Sequence, residues 1–239
     1  MSIAVMFAPP CCTGGLEPRR YPSRWMSFEG RKMRFRLLLA LPVLLLLAAA
    51  RPVADAGDAA VAHELYTELC LEGQVSQSAF TRGYTALSRR GANPRMLAIA
   101  DMTQPSTAKR LHVIDLANKE LVLSTYVAHG QGSGELFCSS FSNKRGSHAT
   151  SKGLYRIGAE IVSPKHGAAL MLHGLDRGLN CQAEPREVIM HGADYVSEVF
   201  IAEHGRLGRS WGCPAVSRAD MPRMIQLLAG GGYLYVHGR

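Results

Sequence analysis

The sequence predicts a mainly β domain that opens with an α-helical hairpin and carries one further helix after its last cysteine. Two observations point there. Apolar residues recur at helical spacing before residue 95, and from Met96 the period falls to two, in short β-type runs broken by glycine-rich turns. The first helix is expected over 58–72, with Ala62, Leu65, Tyr66 and Leu69 on one face and Gly73 as a stop. The second is expected over 76–90, with Phe80, Tyr84 and Leu87 on one face and Gly91 then Pro94 ending it. Strands follow at 96–101, 111–116 and 121–127, the last two joined by Ala117-Asn118-Lys119-Glu120, and then at 153–157, 168–172, 188–191 and 233–236. Residues 129–153 are rich in Gly, Ser, His and Asn, a long loop of the kind that carries binding or catalysis. The last helix is expected over 217–228, opened by Ser217-x-x-Asp220 with Pro222 in its first turn.

Three segments result: a leader over 1–56, a helical extension over 57–95 and the mainly β domain over 96–239. The chain of 239 residues has a formal charge of +8, which invites a nucleic-acid partner. Eight of its basic and three of its acidic residues fall in 1–56, so 57–239 keep 19 basic against 16 acidic, and no nucleic-acid partner is expected. Met33-Arg34-Phe35-Arg36 precedes fourteen uncharged residues, Leu37 to Ala50, and then Val53-Ala54-Asp55-Ala56-Gly57. That order of positive, apolar and A-x-A segments is a secretory signal cleaved after Ala56, with Met33 as the expected start. The apolar run reaches only ~21 Å as a helix, short of a ~30 Å bilayer core, which sets cleavage ahead of an uncleaved anchor. The exported chain then holds four cysteines, Cys70, Cys138, Cys181 and Cys213; if one is a working thiol, at most one bridge forms, and Cys138 with Cys181 is the pair expected.

Chemistry gathers around Cys213. Gly212 before it lets the backbone turn sharply and aim N–H groups at one point, as an oxyanion hole requires. A thiol of ordinary pKa is mostly protonated at neutral pH and needs a neighbouring base. His191, at the end of an apolar run and 22 positions upstream, is the best candidate. No H-E-x-x-H occurs, and His166, His173, His191 and His204 have no ligand-like spacing, so neither metal nor cofactor is expected.

His191-Gly192-Ala193 followed by Ser210-Trp211-Gly212-Cys213 resembles the H…S-x-G-C signature of the L,D-transpeptidase catalytic domain, YkuD type and nearest the YkuD_2-like subgroup. The similarity runs from about Leu97 to Tyr235. It takes in Phe141-Ser142-Asn143, Gly146-Ser147, Ser151-x-Gly153-Leu154-Tyr155, His166-Gly167, Gly174-Leu175, Asn180-x-x-Ala183 and Gly208-Arg209-Ser210. Trp211 departs from the common S-H-G-C form, and the histidine-to-cysteine spacing is slightly longer than usual. The resemblance implies a β-sandwich or barrel-like domain acting on peptidoglycan stem peptides, both donor and amine acceptor, in the periplasm at the cell wall. Cys213 is then the nucleophile and His191 the base, with Ser210 and the N–H groups of Gly212 and Cys213 orienting the pair and meeting the oxyanion. Expected substrate contacts are Arg209, Trp211, His173, Ser142, Asn143 and Tyr155, and carbapenem β-lactams are expected inhibitors.

Other readings stand beside these. Arg209 fits a substrate carboxylate or a structural salt bridge equally. Trp211 serves as a stacking surface or as a lid, His173 as a pocket wall or a hydrogen-bonded structural residue, and turn chemistry alone explains Ser142 and Asn143. The acyl-enzyme resolves with an amine, giving 3,3 or 1,3 cross-links, or with water, giving an L,D-carboxypeptidase or amidase; a noncatalytic wall-binding module is the rival from another class.

Overall fold

The computed structural model describes residues 53–239, with side chains from Gly57 onward. The Met33 start and the apolar run 37–50 of the expected signal lie outside the described residues, whereas residues 53–56, just before the expected cleavage point, are helical and open α1. Two helices come first, α1 (Val53–Glu68) and α2 (Gln77–Ser88). Ser76 caps α2 through its side chain, which accepts from the Ala79 N–H. Eight strands follow: β1 (Met96–Asp101), β2 (Leu111–Asp115), β3 (Glu120–Thr125), β4 (Gly153–Ser163), β5 (Gly167–Gly174), β6 (Ile189–Ala193), β7 (Ala215–Ser217) and β8 (Tyr233–His237). Helix α3 (Glu198–His204) precedes β7, and α4 (Met221–Leu228) links β7 to β8.

The strands form one sheet in the order β3-β2-β1-β8-β4-β5-β6-β7. β1 with β8 and β6 with β7 are parallel; the other pairs are antiparallel. The two edges of this order then find each other. Three residues after β3 ends, Ala128 pairs with Ala215 of β7, and Gly130 bridges Ser210. The sheet is thereby nearly closed into a barrel, and its seam runs beside Cys213.

β1 is buried on both faces, which is why residues 96–100 read as a continuous apolar run. Leu97 and Ile99 join Tyr66, Phe80 and Leu87 of the hairpin, while Ala98 and Ala100 join Met221, Met224 and Leu228 of α4. The 57–95 extension and the sheet thus share one apolar cluster. Among the described residues no helix is long and apolar enough to cross a membrane.

Several elements differ from expectation: α1, expected over 58–72, runs Val53–Glu68, and β7 was not expected. α4 begins at Met221 because Ala215–Ser217 are drawn into β7 alongside β6, and Ser217 Oγ then receives the Asp220 N–H at 3.0 Å. α3 was not expected: it is seven residues long, held by the Ser197 cap and Gly205 in the left-handed region, and none of its residues is fully buried. β4 runs on to Ser163, its outer half exposed in a hairpin with β5, where the inside–outside alternation fades. The expected Cys138–Cys181 bridge is not formed: none of Cys70, Cys138, Cys181 and Cys213 is in a disulfide.

Candidate active site

β6 and β7 lie parallel with His191 beside Ala215, so Cys213, just before β7, sits level with the start of β6. Its thiol is directed at Glu187 O, 3.8 Å away. Cys213 and His191 are 22 positions apart in the chain, yet the parallel pairing of β6 with β7 puts them on neighbouring segments.

His191 is 1% exposed, with Nδ1 3.1 Å from Gly192 O. A carbonyl only accepts, so Nδ1 carries the proton and Nε2 keeps its lone pair. Burial pushes this imidazole down to about 4; the Gly192 bond opposes that, and the nearby His166, Lys165 and Arg218 add to it. The His166 ring stacks on it with centroids 3.7 Å apart. Burial pushes the Cys213 thiol up, against a backbone hydrogen bond at Ile189 and the charge of Arg186. At neutral pH the resting pair is therefore a thiol and a neutral imidazole.

The turn before Cys213 is shaped by two glycines. Gly212 has φ +118°, and a Cβ there would stand 2.8 Å from Ala149 O and 3.0 Å from Arg186 Nη2. A Cβ on Gly130 would lie 2.3 Å from His148 O and 2.7 Å from Gly212 Cα, so strap and turn touch backbone to backbone. Ser210 Oγ donates to Cys213 O at 2.5 Å and accepts from the Gly212 N–H at 3.1 Å. The Gly212 N–H, expected at the oxyanion, is instead taken by Ser210 Oγ, which closes the turn.

A second layer holds the turn. The Ser210 N–H donates to His129 O and the Gln131 N–H to Ser210 O. Arg110, fully buried, donates to Val127 O, Gln104 O and His129 Nδ1. Because guanidinium only donates, His129 Nε2–H faces Gly134 O, 3.3 Å away. Burial, with Arg110 next, holds His129 at about 4. Arg186 donates from Nη1 to Ser142 O (2.8 Å) and Ser151 Oγ (3.2 Å), and from Nη2 to Ala149 O (2.5 Å).

The expected substrate contacts fall in different places. Trp211 is 66% exposed, stacked on His148 at 4.8 Å with Lys165 Nζ 4.9 Å from its ring centre, an open platform. Arg209 donates to Glu135 Oε1 at 2.5 Å and to Gly134 O at 3.2 Å, the geometry of its salt-bridge reading. His173 pairs through Nδ1 with Glu184, its hydrogen-bonded structural reading. Asn143 accepts the Gln182 N–H and donates to Cys181 Sγ. Ser142 accepts from Arg186 through its carbonyl and from the Lys144 N–H through Oγ. Tyr155 is the correction in this set: it is 2% exposed in the core, with its hydroxyl donating to Ser151 O, and has no face for a ligand. Sequence reasoning missed Arg110, His129 and Arg186, which act only across loops distant in the chain. Among the described residues no group of three or more His, Cys, Asp or Glu could hold a metal ion.

Residues 71–237 match the family model described as the L,D-transpeptidase catalytic domain, YkuD_2. No curated protein matches the chain. Among solved structures, an L,D-transpeptidase from Mycobacterium smegmatis is 14% identical with a TM-score of 0.37, covering 62% of this chain and 60% of that one. An L,D-transpeptidase (Yku) from Stackebrandtia nassauensis is 15% identical with a TM-score of 0.38, covering 76% of this chain and 78% of its own. An LD transpeptidase in complex with imipenem is 13% identical with a TM-score of 0.37 over 61% of this chain and 60% of that one. The chain thus spans about 60% of the length of the first of these.

Proposed function

The chain belongs to the L,D-transpeptidase catalytic domain family, and from that premise we propose that it is an exported, periplasmic, cysteine-dependent L,D-transpeptidase that cross-links peptidoglycan stem peptides. The single observation that carries this reading is the His191 imidazole, neutral and with its Nε2 lone pair kept free by the Gly192 bond, on the strand next to Cys213.

Because thiol and imidazole both rest neutral, proton transfer accompanies attack. The Cys213 thiol leaves Glu187 O and gives its proton to His191 as Sγ bonds the carbonyl carbon of the L-centred residue. The oxyanion forms against the Cys213 N–H. The C–N bond then breaks, the His191 proton passes to the departing D-amino acid, and a thioester remains. An amine of a second stem attacks next: its proton goes to His191, the C–S bond breaks, and the proton returns to the thiolate. Trp211, exposed beside the nucleophile, offers a stacking wall for the acceptor, and the same openness admits water, which favours the carboxypeptidase as the second reading. Carbapenems are proposed to acylate the same thiol.

Mass spectrometry of the purified protein with disaccharide tetrapeptides, beside Cys213→Ala, tests this. A dimer lighter by one D-alanine and absent from the variant is expected, and its fragments distinguish 3,3 from 1,3 linkage. Shortened monomers alone replace the transferase with the hydrolase; no Cys213-dependent product from several donor stems leaves the wall-binding module.

A further inference from the structure

Arg186 has no role in the chemistry above, and its surroundings are unusual for a guanidinium. Its side chain is half-buried, and its hydrogen bonds go to neutral acceptors: Ser142 O, Ala149 O and Ser151 Oγ. Neutral partners anchor the fork while leaving its charge undiminished. Nη2 also lies 3.0 Å from the position a Gly212 Cβ would take, so the cation is packed against the peptide that precedes the nucleophile.

We propose that Arg186 is a positioning residue for Cys213, pinning the 142–151 loop under the Gly212 turn and holding a fixed positive charge beside the sulfur as it becomes a thiolate. This rests on the reading of Cys213 as the nucleophile. A charge already oriented by three hydrogen bonds stabilises the developing anion without reorganisation.

Other groups bear on the same thiol. Glu187 opposes Arg186 from the adjacent position, Lys165 on the β4–β5 turn works with it, and Tyr195 faces the cysteine from the loop after β6. The neutral His191 and the His166 stacked on it complete the surroundings. Lys165 meets this turn only over the exposed Trp211 ring, whereas Arg186 is fixed by three hydrogen bonds and packed against the Gly212 peptide.

The test reads Cys213 directly, without transpeptidation. The rate of alkylation by iodoacetamide, followed at Cys213 by peptide mass spectrometry from pH 5 to 10, is compared for the unmodified protein, Arg186→Met, Arg186→Gln and Arg186→Lys, each first shown to be folded by its thermal transition. The two neutral variants are expected to move the midpoint up by about one pH unit, roughly tenfold slower alkylation at pH 7, and Arg186→Lys to restore most of it. In turnover, kcat should fall in the neutral variants with KM nearly unchanged. Equal midpoints in the folded neutral variants and the unmodified protein would overturn the proposal, as would Arg186→Lys shifting as far as Arg186→Gln. Should Arg186→Met not fold, the Gln and Lys pair decides. If the unmodified protein makes no Cys213-dependent product, the transpeptidase reading fails, while the alkylation midpoints still decide the part played by Arg186.

Discussion

Cys138 and Cys213 start from similar physics and end differently. Each thiol is pushed up by burial, and each has an arginine that draws it back down, Arg110 for Cys138 and Arg186 for Cys213. Cys138 is packed among Met102, Tyr155 and Leu172 in the barrel core, with Sγ directed at Ser140 O. Cys213 lies at the seam between the closing edges of the sheet, partly exposed, one strand from a histidine whose acceptor nitrogen is free. Thiol acidity therefore does not separate them. Access and an adjacent base do, and the sheet's closure supplies both at one place only.

The comparison is most sharply broken by exchanging the two cysteines for alanine. Cys213→Ala is expected to abolish cross-linked product, a loss of at least ~10³-fold, with an unchanged thermal transition. Cys138→Ala is expected to leave turnover within about twofold and to lower unfolding stability by about 1 kcal/mol. Product from Cys213→Ala would end the nucleophile reading. His191→Gln keeps the thiol but removes the base: kcat/KM should drop by about 10²–10⁴-fold while iodoacetamide still reaches Cys213.

Acid sharpens the same contrast. His191 and His129 are held at about 4 in the folded chain, below the ~6.5 of an unfolded histidine. The unfolded chain therefore binds protons first as pH falls. Stability contributed by these two residues is full above pH ~6.5 and lost between there and pH 4, amounting to a few kcal/mol. Denaturant midpoints at pH 7.5 and 4.5 measure it, and an unchanged midpoint would contradict their burial as neutral rings. Turnover should fall on the acid side with a midpoint near 4, where His191 is protonated. The smallest effect is expected of Arg209→Ala, whose partner Glu135 is exposed: less than about 0.5 kcal/mol and little change in KM, whereas a large rise in KM would restore its substrate role.

Much of the fold could be read along the chain. β1 matches its expected 96–101 because five consecutive buried residues leave no ambiguity, and α2 shows its stripe and cap. α3 escaped because it is seven residues long and buries none of them fully, only Ile201 packing on a small apolar cluster, and β7 because three residues carry no period of their own; it exists only as a partner to β6 and to Ala128. In the site, Cys213, His191 and Gly212 announced themselves by residue type and local pattern. Arg186 and Arg110 did not, since an arginine in a loop has the same local sequence whether it is solvated or tied to distant carbonyls.

What the sequence determined by itself was the succession of periods, the glycine that turns the chain before Cys213, and the presence of one thiol and one imidazole suited to acyl transfer; these depend on neighbours a few positions apart. What only the tertiary structure decided was which face each residue found. Bridging the segment after β3 to β7 and its preceding turn joins residues about eighty or more positions apart, and that seam, through the access and the neighbouring imidazole it provides, makes Cys213 and Cys138 different groups.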